Sequence, residues 1–437
     1  MAQPHFKKNA AFFLVFGLLL SFFLGLVSCD EDNDDNEKND PYALAFEPAS
    51  PTAAPDPMSF GPFPVGAKTF TFTDTSRLYK DTQKPRVLVT EVWYPAIQTA
   101  KDGPFFTYDL YEQSEGQDLG QKNGKDVRDI IKEAKLPGLS TKAVRDAAID
   151  KVHGPYPIVL FSHGANGIRF QSTFFTVLLA SHGYIVISAD HEKNTTWDII
   201  RDGYDAGSVA VSASARPADM TFILDKLLAM NKKAGDFFEA TMDEDNIGIS
   251  GHSLGGLTSI AASCTESRIK VAVPMSPVIY LGRILGKCNK PPYPTPTLVM
   301  GGTEDRTVEY KWQYCDYLDL DGSEKYLYEI EAGGHYTFSD MCQLDLLRLS
   351  KELDFGDAED ALNDGCGENN ADWREAQQTI NYYAVAYLNW HLRGSTGSKE
   401  LLKDRNDGIF APVNFYEGDS SLPDWADGGC KASDDSR

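Results

Sequence analysis

Asn246-Ile247-Gly248-Ile249-Ser250-Gly251-His252-Ser253-Leu254-Gly255-Gly256 is the stretch on which the fold turns. Its first half, Ile247–Ser250, is a short β-branched run of strand type. The residues from Leu254 to Cys264 carry a helical pattern. A strand, a sharp turn and a helix in that order put Gly251-x-Ser253-x-Gly255 in the context that presents a serine as a nucleophile. A bare G-x-S-x-G also occurs in glycine-rich turns without chemistry, and the flanking elements favour the catalytic reading here. The glycines are expected because the serine occupies a strained turn where flanking side chains would clash. The following helix adds positive potential and aims the backbone N–H of Leu254 at a developing oxyanion.

Working outward, apolar runs of strand length recur at Ile158–Phe161, Tyr184–Ser188, Ile269–Val273, Thr297–Met300 and Tyr326–Ile330. They are mostly continuous rather than alternating, as expected for a parallel sheet covered on both faces. Helical patterns fall between or beside them at Phe170–His182, Pro217–Met230 and Thr307–Leu318, with a closing helix from about Glu375 to Leu392. This alternation predicts an α/β fold with a mostly parallel, doubly wound sheet and right-handed crossovers. Thr69–Thr73 and Val87–Tyr94 are expected to add an antiparallel N-terminal edge. Residues 101–152 are a polar, partly helical insertion.

A serine hydroxyl needs a base. In a site of this type the order along the chain is serine, acid, histidine. Of eight histidines, only His335 and His391 follow Ser253. His391 lies near the end of the closing helix, where a packed or surface histidine is the ordinary case. His335 sits in Ala332-Gly333-Gly334-His335-Tyr336, directly after a strand, where α/β sheets place ligands. Four aspartates separate Ser253 from His335: Asp305, Asp316, Asp319 and Asp321. Asp305 alone follows a strand, with Glu304 the neighbouring alternative. Its expected role is to accept the histidine Nδ1–H, fix the tautomer and stabilise the imidazolium. The second oxyanion donor is expected from the turn Ser162-His163-Gly164-Ala165-Asn166-Gly167, as the backbone N–H of Ala165. His163 is read as holding that turn by hydrogen bonds.

Several motifs in series now carry a resemblance. Phe161-Ser162-His163-Gly164, Leu179-Ala180-Ser181-His182-Gly183-Tyr184 and Gly251–Gly256 resemble the serine hydrolases related to platelet-activating-factor acetylhydrolase and the dienelactone-hydrolase-like esterases. So do Gly61-Pro62-Phe63-Pro64-Val65-Gly66, Val92-Trp93-Tyr94-Pro95, Asp190-His191, Asn194-Thr195, Arg216-Pro217-Ala218-Asp219 and the stretch Ile380–Gly394. The resemblance covers about residues 59–395. It implies an α/β-hydrolase fold and ester hydrolysis without a metal or organic cofactor. True dienelactone hydrolases use cysteine where this chain has Ser253. The acetylhydrolase acid follows the preceding strand, where this chain reads Met275-Ser276-Pro277 without a carboxylate. The segment Gly301–Val308 resembles bacterial cutinases and polyester hydrolases, whose acid falls at Asp305. The substrate stays open between short acyl esters, oxidised lipids, polyesters and acylated glycans.

The chain has 437 residues, 42% apolar and 11% aromatic, which excludes general disorder. With 41 Lys+Arg against 64 Asp+Glu its formal charge is −23, which argues against nucleic-acid partners. Lys7 and Lys8 precede an apolar run from Ala10 to Val27, and Leu26-Val27-Ser28-Cys29 resembles a bacterial lipobox. Residues 1–28 are therefore read as a lipoprotein signal, with Cys29 the lipidated residue. A plain transmembrane anchor is the alternative. Residues 29–58, acidic and then Pro-rich, form a tether. The expected address is the bacterial cell envelope, as a lipid-anchored lipoprotein of the outer membrane; the acidic stretch after Cys29 resembles those of surface-exposed lipoproteins, and the leaflet it faces stays open. Residues 59–395 are the expected hydrolase domain and 396–437 an unassigned tail. Six further cysteines in an exported chain allow up to three disulfides. Cys342 and Cys366 are expected to close one loop after His335. No pair has zinc spacing such as C-x₂-C. The expected activity is cleavage of a small-molecule or polymeric ester through Ser253, His335 and Asp305. An inactive hydrolase-like binding lipoprotein, and an amidase or peptidase with the same triad, are the alternatives.

Overall fold

The computed structural model describes residues 56–79, 83–278, 293, 295–318, 320, 324–354, 363–403 and 413–418. The signal segment, all but the end of the tether, Cys29, Cys288, Cys430, Asp319 and Asp321 lie outside the described residues. Among the described residues, ten strands make one sheet. They are β1 (Val65–Leu78), β2 (Pro85–Pro95), β3 (Ala143–Arg145), β4 (Tyr156–Ser162), β5 (Ile185–Ala189), β6 (Met242–His252), β7 (Ile269–Met275), β8 (Thr297–Gly302), β9 (Lys325–Ile330) and β10 (Val413–Glu417). Their order is β10-β9-β8-β7-β6-β4-β5-β2-β1-β3. Strands β9 through β5 run parallel. Strands β1 and β2 form the expected antiparallel N-terminal part. The strand order reverses at β4, between β5 and β6. That reversal opens a crevice at the C-terminal ends of β4 and β6, where such sheets hold ligands.

The continuous apolar strands feed two layers because successive side chains point to opposite faces. Val159, Phe161, Val271 and Val273 face one side, with Phe175 of α1 (Thr173–Ser181) and Tyr383 of the closing helix Trp373–Arg393. Ile158, Leu160, Ile247 and Ile249 face the other, against Ile223 and Leu224 of α2 (Ala206–Asn231) and Tyr314 of the helix Tyr310–Leu318. Phe175 is wholly buried. Its truncation to Ala would cost about 3–5 kcal/mol through lost contacts and the cavity left.

Two features differ from the sequence reading. Helix α2 begins at Ala206 rather than Pro217, because Asp205 caps it by accepting from Gly207 N and Ser208 N at 3.0 Å each. Small, partly exposed residues then carry the helix to Pro217 with no apolar stripe to read. The sheet also takes up a strand from beyond residue 395. Val413–Glu417 pairs antiparallel with β9, and Phe415 stacks on Tyr326 with ring centroids 5.6 Å apart. The insertion 101–152 is attached at its end by β3, which pairs with β1. It is also held by Tyr108, which stacks 4.3 Å from Phe170 and donates to Glu91 Oε1 at 2.9 Å.

Candidate active site

Ser253 lies between β6 and α3 (Leu254–Thr265) with φ 56° and ψ −117°. That left-handed conformation costs a non-glycine residue about 1–3 kcal/mol. It persists because the surroundings leave no alternative. Ser253 N donates to Met275 O at 2.9 Å, and Ser253 O accepts from Leu257 N at 3.1 Å in the first helical turn. A Cβ on Gly255 would stand 1.8 Å from the Ser162 carbonyl oxygen, and one on Gly251 2.4 Å from Gly255 O. Helix α3 therefore approaches β4 at backbone distance. Leu254, the first helical residue, keeps an N–H with no partner within the helix.

Asp305 and His335 follow β8 and β9, at the same end of the sheet as Ser253. Asp305 Oδ2 lies 2.9 Å from His335 Nδ1. The carboxylate also accepts from Gln313 Nε2 at 2.8 Å, Thr307 N at 3.1 Å, Val308 N at 2.7 Å and Ser276 Oγ. Burial by itself would raise the acid's pKa. The adjacent His335 and these donors outweigh burial and hold Asp305 below its ordinary value, so it stays ionised. Ser276, at φ 44° after β7, also places its Oγ 3.2 Å from His335 Nδ1. Glu304 is exposed and points to no such partner.

Two buried groups that the sequence reading missed fix the loops. Asp364 accepts from His335 N at 3.2 Å, Arg306 N at 3.0 Å, Thr307 N at 2.8 Å and Thr307 Oγ1 at 2.6 Å. One carboxylate thus ties the Asp305 turn to the His335 turn. Nearby, a disulfide joins Cys342 and Cys366 across the same loop. Gln171 is the second. Its Oε1 accepts from Gly164 N and its Nε2 donates to His252 Nδ1, both at 3.0 Å. His252 Nε2 donates onward to His335 O, also at 3.0 Å. Burial keeps His252 neutral, with its pKa pushed down to about 3, as this donor–acceptor chain requires. The turn after β4, the serine's neighbour and the His335 loop are thereby linked. No hydrogen bond joins Ser253 Oγ to His335 in this arrangement, and such bonds are often long before substrate binds.

Ala165 is exposed in the turn after β4, which Gly167 N closes on Gly164 O at 3.1 Å. A Cβ on Gly164 would lie 3.6 Å from Ser253 Cβ, so this turn flanks the serine. His163 is fully buried, donates through Nδ1 to Gly164 O at 2.7 Å and accepts from His191 N at 3.1 Å. His391 packs against Trp390 and Tyr387 on the closing helix.

A second serine, histidine and aspartate also line up. Ser162 Oγ is 2.9 Å from His191 Nε2, and His191 Nδ1 is 2.9 Å from Asp219 Oδ2. All three residues are 0% exposed, whereas Ser253 retains 7%. Ser162 Oγ also accepts from Arg216 Nη1 at 3.4 Å. Among the described residues, no group of three or more His, Cys, Asp or Glu could hold a metal ion.

Residues 167–350, which include Ser253, Asp305 and His335, match the PET hydrolase-like family. Residues 51–201, which include the turn after β4, match platelet-activating factor acetylhydrolase, isoform II. A probable 1-alkyl-2-acetylglycerophosphocholine esterase from Arthroderma benhamiae is 26% identical over 322 residues, 68% of this chain and 79% of that one. A ferulic acid esterase from Streptomyces cinnamoneus superposes with a TM-score of 0.58 at 22% identity, over 81% of this chain and 96% of its own. The chain has the α/β-hydrolase fold and is similar, in sequence and in structure, to proteins named as esterases.

Proposed function

We propose that this protein is a serine hydrolase of carboxylic esters, with Ser253 as nucleophile, His335 as base and Asp305 as acid. The Asp305–His335 pair beside a serine held at positive φ carries this reading. Asp305 holds the Nδ1–H, so Nε2 keeps its lone pair and takes the Ser253 proton as Oγ attacks the ester carbonyl. The tetrahedral oxyanion receives the N–H groups of Leu254 and Ala165. Collapse breaks the ester C–O bond. The leaving alcohol takes the proton from His335, and the acyl group stays on Ser253. Water, deprotonated by His335, then releases the acid and restores the serine. Ester cleavage is supported by the names of the two relatives and by both family matches. A p-nitrophenyl ester series on wild type and Ser253→Ala tests it. Turnover is expected in wild type and should fall to background in the variant. Equal rates in both would end the reading.

We also propose export and lipid anchoring through Cys29. This rests on Lys7, Lys8, the apolar run Ala10–Val27 and the Leu26–Cys29 tetrapeptide. Metabolic labelling with a fatty acid should mark wild type and not Cys29→Ser; labelling of both, or of neither, would contradict it.

A further inference from the structure

The buried cluster around Arg216 lies outside the triad, and its connections run to the turn that flanks Ser253. Arg216 is 0% exposed and sits beneath that turn. Its guanidinium donates to His163 O, to Gly164 O at 3.1 Å, to Asn194 Oδ1 at 2.6 Å and to Ser212 Oγ at 3.0 Å. Two consecutive carbonyls of one turn therefore face the same planar cation. The peptide between Gly164 and Ala165 is trans, since the cis bonds among the described residues are at Pro104 and Pro155. In a trans peptide the N–H points opposite to the C=O. With Gly164 O held inward by Arg216, and also by His163 Nδ1 at 2.7 Å and Gly167 N at 3.1 Å, the N–H of Ala165 is turned away from Arg216, in the turn that flanks Ser253. The peptide one step earlier obeys the same rule. His163 O faces Arg216, and Gly164 N–H points away to Gln171 Oε1.

From this we infer that Arg216 is the positioning residue of the oxyanion hole: it sets the plane of the Gly164–Ala165 peptide and so the direction of the Ala165 N–H. The inference rests on the ester-hydrolase reading above. The Ser162–His191–Asp219 trio is the mount for this residue and performs no proton transfer. Its hydrogen bonds run one way, from Arg216 Nη1 to Ser162 Oγ, from Ser162 to His191 Nε2, and from His191 Nδ1–H to Asp219. That direction requires a neutral His191, and burial pushes its pKa down to about 3. Asp219 is locked in turn by Arg86, whose Nε and Nη2 donate at 2.7 and 2.6 Å, and by Arg77 Nη1 at 2.7 Å. Asn194 completes the mount. It accepts from Arg216 and donates through Nδ2 to Asn166 Oδ1 at 3.0 Å, inside the same turn. Lysine cannot replace this arginine, because a single ammonium lacks the planar fork that reaches both carbonyls.

The test compares full-length wild type, Arg216→Lys and Asn194→Ala for p-nitrophenyl ester kinetics and for inhibition by an alkyl boronic acid, which forms a tetrahedral adduct on the serine. Loss of one oxyanion donor typically lowers the rate by about 10²–10³. Arg216→Lys, which misdirects a donor without removing it, should lower kcat about 10- to 100-fold. KM should stay within about two-fold, and boronate affinity should fall by the same factor as kcat/KM. The shape of the pH–rate profile should not change. If Arg216→Lys does not fold, Asn194→Ala decides, with a smaller kcat loss of about three-fold or more and the same boronate signature. A folded variant with wild-type kcat, or one in which KM alone rises, would overturn the inference while the hydrolase reading stands. Wild type that hydrolyses no ester above Ser253→Ala would overturn both.

Discussion

Replacing Asp305 with Asn separates the acid's electrostatic role from its structural one. Five donors converge on the carboxylate: His335 Nδ1, Gln313 Nε2 and Ser276 Oγ at Oδ2, and the N–H groups of Thr307 and Val308 at Oδ1. Asn has one acceptor oxygen and one NH₂ group, so either orientation sets a donor against donors. With the NH₂ group at the Oδ2 position, His335 must accept through Nδ1 and carry its proton on Nε2. It is then no base for Ser253. The wrong tautomer lowers kcat by about 10⁴ in the serine-protease triad. With the NH₂ group at the Oδ1 position the tautomer survives, but the charge facing the imidazolium is lost and the buried Val308 N–H loses its acceptor, while Thr307 N keeps Asp364 Oδ2 at 2.8 Å. An unsatisfied group of this kind costs about 1–3 kcal/mol. Asp305→Asn should therefore lose about 10³–10⁴ in kcat, with KM nearly unchanged because Asp305 touches no substrate. Glu304→Gln, at an exposed neighbour, should stay within about two-fold. The assay is steady-state hydrolysis of a p-nitrophenyl ester, with circular dichroism to confirm folding. A folded Asp305→Asn that keeps more than about a tenth of wild-type kcat would refute the assignment of the acid.

Further outcomes follow from the same geometry. Gly255→Ala should abolish activity or folding, because its Cβ would meet the backbone oxygen of Ser162 at 1.8 Å; a folded variant with wild-type activity would contradict it. Five histidines, His163, His182, His191, His252 and His391, are held below their ordinary pKa by burial. Their contribution to stability is complete above about pH 6.5 and is lost as pH falls toward about 4 and below, by about 1.4 kcal/mol per pH unit for each histidine that is protonated only on unfolding. Asp340, pushed up to about 7 by burial, and Asp190, also raised by burial, act in the opposite sense and lose their contribution as pH rises above about 4, but they are two groups against five. Denaturant midpoints should drop steeply below pH 6, and a flat profile from pH 7 to 4 would contradict this. Replacing Cys342 and Cys366 with Ser opens a loop spanning a separation of 24 residues, worth about 3–4 kcal/mol on chain entropy. Because Asp364 shares that loop and holds both catalytic turns, kcat should fall along with stability; unchanged kcat would show that Asp364 keeps its place without the bridge.

How much of this was legible in the sequence depended on distance along the chain. The strands read clearly because a two-faced sheet needs apolar residues at consecutive positions, and Ile158–Phe161 or Ile247–Ser250 have no other use. Ser253, Asp305 and His335 each follow such a strand within a few residues, and strand ends are where loop chemistry concentrates. The mount of the turn after β4 was not readable. Arg216 meets its carbonyl partners from more than fifty positions away, and Arg86 meets Asp219 from 133. The motif Arg216-Pro217-Ala218-Asp219 stood out only as part of a resemblance, with no physical reason attached. Asp364 was invisible for the same cause, lying in a polar loop that pattern alone reads as solvated. Val413–Glu417 escaped because an edge strand with one wet face is short and mixed in polarity. Ser162, His191 and Asp219 show the reverse hazard. Their distances match those of a triad, and burial with Arg216 at the hydroxyl argues against catalysis.

The most direct test is where an electrophile lands. Intact protein treated with a fluorophosphonate, digested and mapped by mass spectrometry, should carry one adduct, on the peptide containing Ser253, with none on Ser162. An adduct on Ser162, or no adduct on Ser253 in folded protein, would contradict the assignment of the nucleophile.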